Sequence, residues 1–156
     1  MSVELPFAPV DEIIRRNAGD LRVSADAAEE LALRIQRRGA ELAVDAADEA
    51  TADGRKTLMA GDFGADRSVE RDELTLPVAP VDRIARLDID DRYRVSTDAR
   101  VALASDLEQY ADGVASAAST LARHADRRTV QAEDVETYVT LFESVERETE
   151  SAPGAS

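Results

Sequence analysis

The sequence predicts an all-α protein built from two tandem copies of one short–long–short helical unit. The segment 5–10, Leu-Pro-Phe-Ala-Pro-Val, returns at 76–81 as Leu-Pro-Val-Ala-Pro-Val, and later landmarks recur 72 residues further along the 156-residue chain. Two proline-free stretches, 25–52 and 97–125, carry apolar side chains at helical spacing. Because a unit of about 70 residues buries too small a core to be stable alone, we expect the two copies to pack against each other.

The first two helices of each unit have recognisable starts. Pro9 and Pro80 suit the first turn of a short helix, where a missing N–H group is harmless. Ser24 and Ser96 are favourable N-caps for the long helices that follow. The short helices carry apolar stripes, which comprise Val10, Ile13 and Ile14 in the first copy and Val81, Ile84 and Leu87 in the second.

The third helix differs between the copies. In the first copy, Gly61 and Gly64 each cost a helix about 1 kcal/mol relative to alanine, which predicts a short or frayed helix. The predicted boundaries are 4–73 for the first unit, 75–147 for the second and 148–156 for a disordered acidic tail. In the second copy a full helix is predicted by an apolar stripe of Val135, Val139, Phe142 and Val145.

The chain is strongly acidic. Its 33 acidic residues oppose 19 basic ones, which gives a net charge of −14, and the acids are spread over the whole length. Lys56 is the only lysine among these basic residues. This combination is typical of protein surfaces from salt-loving archaea. The alternative is a mesophilic acidic protein that resists aggregation through its net charge.

Composition also disfavours several classes of protein. The absence of cysteine excludes disulfides and thiolate metal sites and favours an intracellular location. Apolar runs fall far short of the ~18 residues needed to span a bilayer, and no secretory leader opens the chain, so we expect a cytoplasmic protein without a membrane partner. No nucleophile motif, phosphate-binding glycine loop or zinc-ligand spacing is present, which predicts neither an enzyme nor a cofactor.

One acidic cluster suggests a cation site. Asp88, Asp90 and Asp91 lie close together between the first two helices of the second copy. They lack the remaining spacing of a calcium-binding loop. We therefore expect no bound metal.

Three motifs recur in the same order in both halves. Leu-Pro-x-Ala-Pro-Val is followed by Arg-Val-Ser-x-Asp-Ala, at 22–27 and 94–99, and then by the triplets 55–57 and 127–129 with a later aspartate. Together they resemble the archaeal histone family, and two fused copies in an acidic chain resemble the histone doublets of haloarchaea. The resemblance implies two tandem histone folds paired as an intramolecular handshake pseudo-dimer, in which the long helices cross and each first loop lies beside the other copy's second loop.

The resemblance also implies a surface that binds the backbone of double-stranded DNA. In the family, phosphates are held by the paired first helices and by the paired loops at each end. In the first helices the matching cations are Arg15, Arg83 and Arg86. In the loops the matching residues are Arg22, Arg55, Lys56, Thr57, Arg94, Arg127, Arg128 and Thr129.

Four of these arginines have structural alternatives. Arg55 precedes Asp62 by seven residues, and Arg127 precedes Asp134 by seven, which resembles the family's internal loop-to-helix ion pair. For these two arginines we favour the structural role. Arg22 and Arg94 either contact phosphate or cap their loops; these two interpretations remain open here.

The resemblance further implies self-association through the second copy. Leu121, His124 and Asp134 match the interface by which archaeal histone dimers join, whereas Glu49 and Ala52 stand at the first-copy positions of Leu121 and His124. One competent end predicts a closed dimer of doublets rather than an open filament. Alternatively, His124 is an ordinary surface residue.

Two functions follow as expectations. The first is a chromosome-associated DNA-binding protein that contacts the duplex backbone without reading bases, and that organises chromatin or modulates transcription in a high-salt cytoplasm. The second is an acidic protein-interaction module that joins transcription proteins and barely touches DNA. The retained loop triplets favour the first, and the acidity favours the second.

Overall fold

A computed structural model of the chain describes residues 2–64 and 70–150, with side chains described as far as residue 146. Five α-helices and four two-residue strands occur in these ranges, together with two 3₁₀ helices at Ala60–Phe63 and Arg71–Glu73. The helices are α1 (Phe7–Ala18), α2 (Ala25–Ala52), α3 (Val78–Ala85), α4 (Thr97–His124) and α5 (Ala132–Glu150), and the strands are β1 (Arg22–Val23), β2 (Thr57–Leu58), β3 (Arg94–Val95) and β4 (Thr129–Val130).

The long helices α2 and α4 begin where their serine caps predict. Ser24 Oγ accepts a hydrogen bond from the Ala27 N–H at 3.2 Å, and Ser96 Oγ accepts one from the Ala99 N–H at 3.0 Å. Each cap satisfies one of the amide donors that a helix start leaves without an intrahelical partner. Both helices contain 28 residues, and α4 ends at His124, one residue before the predicted end of its stretch.

The two halves of the chain form the predicted handshake. Strand β1 pairs in parallel with β4, and β2 pairs in parallel with β3, so each strand pair joins one half to the other. The two long helices cross between these strand pairs, and α1 packs on α4 while α3 packs on α2. The all-α fold class and the intramolecular pairing are therefore confirmed.

The core between the halves is continuous and rich in alanine. Small side chains on α2 and α4 allow the helices to approach closely, and Ile13, Ile84 and Leu107 fill the space between them with no exposed surface. Gly39 lies at a close contact between the halves, because a Cβ there would stand 2.7 Å from Ile84 Cγ2 and 3.0 Å from Leu107 Cδ1. Since both halves contribute to one core, neither half buries its apolar face alone.

The third helix of the first half is short, as its glycines predict. It is reduced to the 3₁₀ helix Ala60–Phe63, and Gly64 ends it with a φ of +71°, a conformation that costs glycine little. Residues 65–69 lie outside the described ranges. The prediction of a short or frayed element is thus met by a single 3₁₀ turn.

Three details of the sequence interpretation were wrong. Leu87 lies beyond the end of α3 and is 43% exposed, so it is not part of the apolar stripe. In α5, Val135 and Val139 are buried but Phe142 and Val145 are exposed, because the apolar pattern continues past the part of the helix that its neighbours cover. Residues 148–150 of the predicted tail belong to α5, and 151–156 lie outside the described residues.

Within the described part of the chain, no helix combines the length and apolar character needed to cross a bilayer.

Candidate nucleic-acid interface

The strand pairs place the predicted loop cations at opposite ends of the molecule. At the first end surface, defined by Arg22, Arg127, Arg128 and Thr129, Arg22 lies opposite Thr129 and its N–H donates to the Arg128 carbonyl at 2.8 Å. The second end surface, defined by Arg55, Lys56, Thr57 and Arg94, is built the same way. There Arg94 lies opposite Thr57, and its N–H donates to the Lys56 carbonyl at 2.9 Å.

Each end surface carries two exposed cations that pair with no carboxylate in the described part of the chain. Among the residues that the structure describes, Arg22, Arg128, Lys56 and Arg94 form no ion pair or side-chain hydrogen bond, and all four are exposed. The backbone N–H groups of Arg22 and Arg94 are already used between the strands. A polyanion at either end would therefore be held mainly by free guanidinium and ammonium groups.

Arg55 is held within its own half. Its Nη1 donates to Asp62 Oδ2 and its Nη2 to Asp62 Oδ1, both at 2.9 Å, and further bonds reach Asp53 Oδ2 and the Thr57 carbonyl at 2.9 Å. The hydrogen bond from Arg55 lowers the pKa of Asp62, and the Asp62 bond raises the pKa of Arg55. This bidentate geometry gives Arg55 a structural role at the base of the second end surface.

Arg127 has the equivalent arrangement in the second half. It makes a bidentate pair with Asp134, in which Nη1 lies 2.8 Å from Oδ2 and Nη2 bonds Oδ1. Asp134 Oδ2 also accepts the Gln131 N–H at 2.8 Å, so the carboxylate caps the start of α5. The bond to Asp134 raises the pKa of Arg127. The loop and the third helix are thereby joined.

The three predicted cations of the first helices are all neutralised within the chain. Arg15 pairs with Asp11 at 2.6 Å, and Arg86 pairs with Asp82 at 3.1 Å, each one helical turn away. Across the two halves, Arg83 pairs with Glu4 at 3.1 Å. The pairs are half-exposed, so each is weak, but a phosphate would have to compete with a carboxylate at every one of these arginines. The Asp11 and Asp82 pairs could have been found from their four-residue spacing.

Arg16 of α1, which lies outside the predicted set, joins the two halves. Arg16 bonds Asp112 at 2.9 and 2.7 Å, Glu108 at 3.3 Å and Thr75 Oγ1 at 2.8 Å. These partners lie 59 to 96 residues away, so no local spacing indicates them. Arg16 is therefore engaged in holding the pseudo-dimer together.

The acidic cluster of the second half lies beside the second end surface. Asp90 Oδ1 accepts the Arg92 N–H at 2.9 Å, and the Arg92 guanidinium lies over the Tyr93 ring at 5.1 Å from its centroid. The Tyr93 hydroxyl in turn bonds Thr51 Oγ1 of the first half. In ranges 2–64 and 70–146, no group of three or more His, Asp or Glu side chains is arranged to hold a metal ion.

The predicted self-association residues differ in exposure. His124 is exposed at the last residue of α4, and Leu121 is half-buried one turn earlier. Asp134 is only 2% exposed and both of its oxygens are bonded within the chain. The predicted internal pair of Asp134 with Arg127 is therefore present, whereas its predicted contact with a second molecule stays a prediction.

Comparisons with known proteins agree with this architecture. The model of the family described as histone-like transcription factor (CBF/NF-Y) and archaeal histone matches twice, over residues 3–64 and 74–139. A subunit of the archaeal histone HAN1 from Thermococcus zilligii is 53% identical over 60 residues, which are 38% of this chain and 87% of that protein.

Two solved structures superimpose on most of the molecule. The histone from Methanopyrus kandleri superimposes with a TM-score of 0.64 at 28% identity, over 85% of this chain and 91% of that one. A protein from Thermus thermophilus superimposes with a TM-score of 0.68 at 17% identity, over 90% and 97%, which supports the fold alone. With two family matches that together span most of its length, the chain belongs to the family of histone-like transcription factors and archaeal histones, and it contains two tandem copies of the histone fold.

Proposed function

We propose that this protein binds double-stranded DNA through its backbone, without reading bases, and that the two end surfaces make the principal contacts. The observation that carries the proposal is the side-by-side placement of free cations, Arg22 with Arg128 and Lys56 with Arg94, by the two strand pairs. Arginine and lysine side chains at fixed spacing suit phosphate oxygens. A duplex that touches both ends would be bent across the face between them.

The paired arginines of α1 and α3 contribute less in this proposal. A phosphate would have to displace a carboxylate from each of Arg15, Arg83 and Arg86. Because one anion only replaces another, each contact would add little to the DNA affinity. In this proposal the middle of the surface therefore contributes little to DNA binding, and the two end surfaces contribute most. The net charge of −14 opposes DNA approach at long range, which favours selective, regulatory binding over dense packaging.

We also place the protein in a high-salt archaeal cytoplasm, associated with the chromosome. The single lysine and the spread of carboxylates over the whole chain support this environment. In concentrated salt the counterion-release contribution to DNA affinity is small, since log affinity falls by about 0.9 per phosphate contact for each tenfold rise in salt. Binding there depends on hydrogen bonds and on the fixed geometry of the end surfaces.

The proposal is tested by titrating a duplex of about 60 base pairs with protein in potassium chloride stepped from about 0.2 M to 3 M. Wild type is compared with a variant in which Arg22, Lys56, Arg94 and Arg128 are alanine. Binding by wild type that is lost in the variant supports the proposed surface. Absence of binding by folded wild type at every salt concentration overturns DNA binding.

A matched control separates site-specific loss from a general change of charge. Arg37 and Arg71 are also exposed and, in the described structure, have no ion-pair partner, but they belong to α2 and to the 3₁₀ helix Arg71–Glu73 rather than to the loops and strands of the end surfaces. The variant Arg37→Ala/Arg71→Ala is compared with Arg22→Ala/Arg128→Ala, because both remove two positive charges. Equal loss in the two variants would contradict the end surfaces as the site.

A second candidate function is an interaction module for transcription proteins. It is favoured by the outer half of α5, where Leu141 is 57% exposed and Phe142 is 41% exposed. Neutralisation of the first-helix arginines also favours it. If wild type fails to bind DNA in the titration, this candidate becomes the leading one.

We further propose that two molecules associate through the second half. Leu121 and His124 supply the outward-facing part of this contact, whereas Asp134 supports the loop beneath them. Glu49 and Ala52 at the first-half positions would leave the other end without a matching contact. The expected product is a closed dimer of the two-fold chain.

A further inference from the structure

Contacts between the two halves join residues that are not equivalent to one another. Equivalent positions lie 71 residues apart as far as the first helix and 72 residues apart from the first strand onward. Consequently, each contact can be compared with the one that would form if a half paired with the same half of a second molecule. Four contacts change character in that comparison.

The first contact lies where α2 and α4 cross. Arg38 Nε bonds Asp106 Oδ1 at 3.1 Å, and the residue of the first half equivalent to Asp106 is Arg34. Two first halves would therefore place Arg38 of one molecule against Arg34 of the other. Like charges at a contact disfavour the wrong partner, whereas the native pair attracts.

The second contact joins the amino-terminal segment to α3. Arg83 Nε lies 3.1 Å from Glu4 Oε2, and the first-half equivalent of Arg83 is Glu12. Two first halves would place Glu12 against Glu4. The favourable pair again becomes a repulsive one, at a second site on the same surface.

The third contact joins Arg16 of α1 to two carboxylates of α4. Glu108 is mostly buried and accepts the Thr75 and Leu76 N–H groups at 2.7 and 2.9 Å while Arg16 reaches it and Asp112. The second-half equivalent of Arg16 is Leu87. Two second halves would place Leu87 where Arg16 stands, so Asp112 would lose its ion pair and Glu108 would keep only the hydrogen bonds from Thr75 and Leu76 of its own half.

The fourth contact is steric. Gly39 accommodates Ile84 and Leu107, and a Cβ at this position would lie 2.7 Å from Ile84 Cγ2. The second-half equivalent of Gly39 is Ala111, which carries that Cβ. Two second halves would press Ala111 against Ile84 in a core where both residues are fully buried.

We propose that the surface between the halves selects the unlike half and rejects the same half of a second molecule. The first half is rejected by like charges and the second half by a missing arginine and a steric overlap. Each half therefore prefers the other half of its own chain. The contact residues specify the intramolecular pairing in addition to the covalent connection. This inference concerns pairing alone and does not depend on DNA binding.

The test introduces each unfavourable contact into the intact chain by a single substitution. Asp106→Arg, Arg83→Glu, Arg16→Leu and Gly39→Ala each replace a residue by its equivalent from the other half. We expect every one to lower the urea midpoint and to reduce the folded-to-unfolded ratio about fivefold or more at fixed urea. Gly39→Ala should do so despite the better helix propensity of alanine. Arg38→Asp should restore the Asp106→Arg variant.

Control exchanges are made at exposed α4 positions that, in the described structure, form no hydrogen bond or ion pair with the other half. Gln109→Arg introduces the residue equivalent to Arg37, and Thr120→Asp introduces the residue equivalent to Asp48. These two variants should unfold at the wild-type midpoint. If the four contact exchanges also unfold at the wild-type midpoint, or if Arg38→Asp fails to restore Asp106→Arg, selective pairing is overturned.

Disulfide reporters give a second readout, because the natural chain has no cysteine. Arg22 and Thr129 are register partners in the native pairing, whereas two first halves would place Arg22 opposite Thr57 of the second molecule. After refolding at high concentration, Arg22→Cys/Thr129→Cys should form an intrachain disulfide. Interchain disulfides in Arg22→Cys/Thr57→Cys at a comparable yield would contradict the proposal.

Discussion

Arg16 and Asp112, 96 residues apart in the chain, are joined by two hydrogen bonds, from Nε to Oδ1 at 2.9 Å and from Nη2 to Oδ2 at 2.7 Å. Burial acts to raise the pKa of Asp112, but the hydrogen bonds from Arg16 and Asn17 outweigh it and the pKa is lowered. The bond to Asp112 correspondingly raises the pKa of Arg16. This pair, together with the weaker contact of Arg16 with Glu108, ties α1 of the first half to α4 of the second.

This pair predicts a defined acid sensitivity. Because the pKa of Asp112 is lower when folded than when unfolded, its stabilisation is complete above the unfolded value of about 4 and is lost as the pH falls through the folded value. Asp112→Asn should lower the free energy of unfolding at neutral pH by about 1 kcal/mol, a small figure because the pair is partly exposed. Urea unfolding between pH 7 and pH 2 measures it.

The control for this prediction is Asp45→Asn, since Asp45 is exposed on α2 and has no ion-pair partner in the described structure. The free energy of unfolding of Asp45→Asn should differ from that of wild type by the same amount at every pH between 7 and 2. The Asp112→Asn and wild-type curves should converge at the acid end, and a constant gap at every pH would contradict the assignment.

The two internal ion pairs should differ in importance. Asp134→Ala removes a side chain that is 2% exposed, binds Arg127 twice and caps the 19-residue helix α5. We expect a loss of about 2–3 kcal/mol, because charged hydrogen bonds and a helix cap are removed together. Asp62→Ala should cost less, since the element it caps is a four-residue 3₁₀ helix. Urea unfolding monitored by circular dichroism measures both; equal losses would refute the distinction.

Loop and helix arginines should contribute unequally to DNA binding. Arg22→Ala/Arg128→Ala should reduce the slope of log affinity against log salt by about 0.9 for each lost phosphate contact. Arg15→Ala/Arg86→Ala should change the slope little, because each of these arginines is already paired with a carboxylate one turn away. Fluorescence titrations at four salt concentrations measure the slopes. A larger change for the helix variant would reverse the proposed ranking.

Self-association should depend on which half carries leucine and histidine at the positions of Leu121 and His124. Leu121→Glu/His124→Ala gives the second half the residues found at Glu49 and Ala52, and we expect the closed dimer to dissociate to single chains. The reciprocal Glu49→Leu/Ala52→His should produce assemblies larger than a dimer. Sedimentation velocity distinguishes these sizes, with Thr120→Ala as the control on the same helix. Unchanged mass in the first variant would remove this interface from consideration.

Much of the fold could be predicted from local chemistry. Ser24 and Ser96 mark the starts of α2 and α4 because a serine oxygen can accept an amide hydrogen within three residues. Gly64 ends the short third element for an equally local reason, its positive φ. The pairs Arg55–Asp62 and Arg127–Asp134 also span only seven residues. Each of these features depends on neighbours along the chain.

The chemical character of the site could be predicted only in part. The family resemblance selected the loop cations and the helix cations together, and only the four-residue spacing of Arg15 from Asp11 and of Arg86 from Asp82 could have separated some of them. The structure separates them, because Arg83 meets Glu4 from the other half whereas Lys56 and Arg94 meet no carboxylate among the described residues. Asp134 likewise matched an intermolecular interface, yet folding encloses it against Arg127.

From sequence alone, the internal repeat and the helical periodicity determined two helical units, their order and their need for each other. The tertiary structure decided which cations stay free, which carboxylates are buried, and why Gly39 must stand where its equivalent is Ala111. The physical reason is range. Caps and helical turns act over three to seven residues and leave a pattern in the sequence, whereas the pairing of Arg16 with Asp112 acts across 96 and exists only after the chain has folded back on itself.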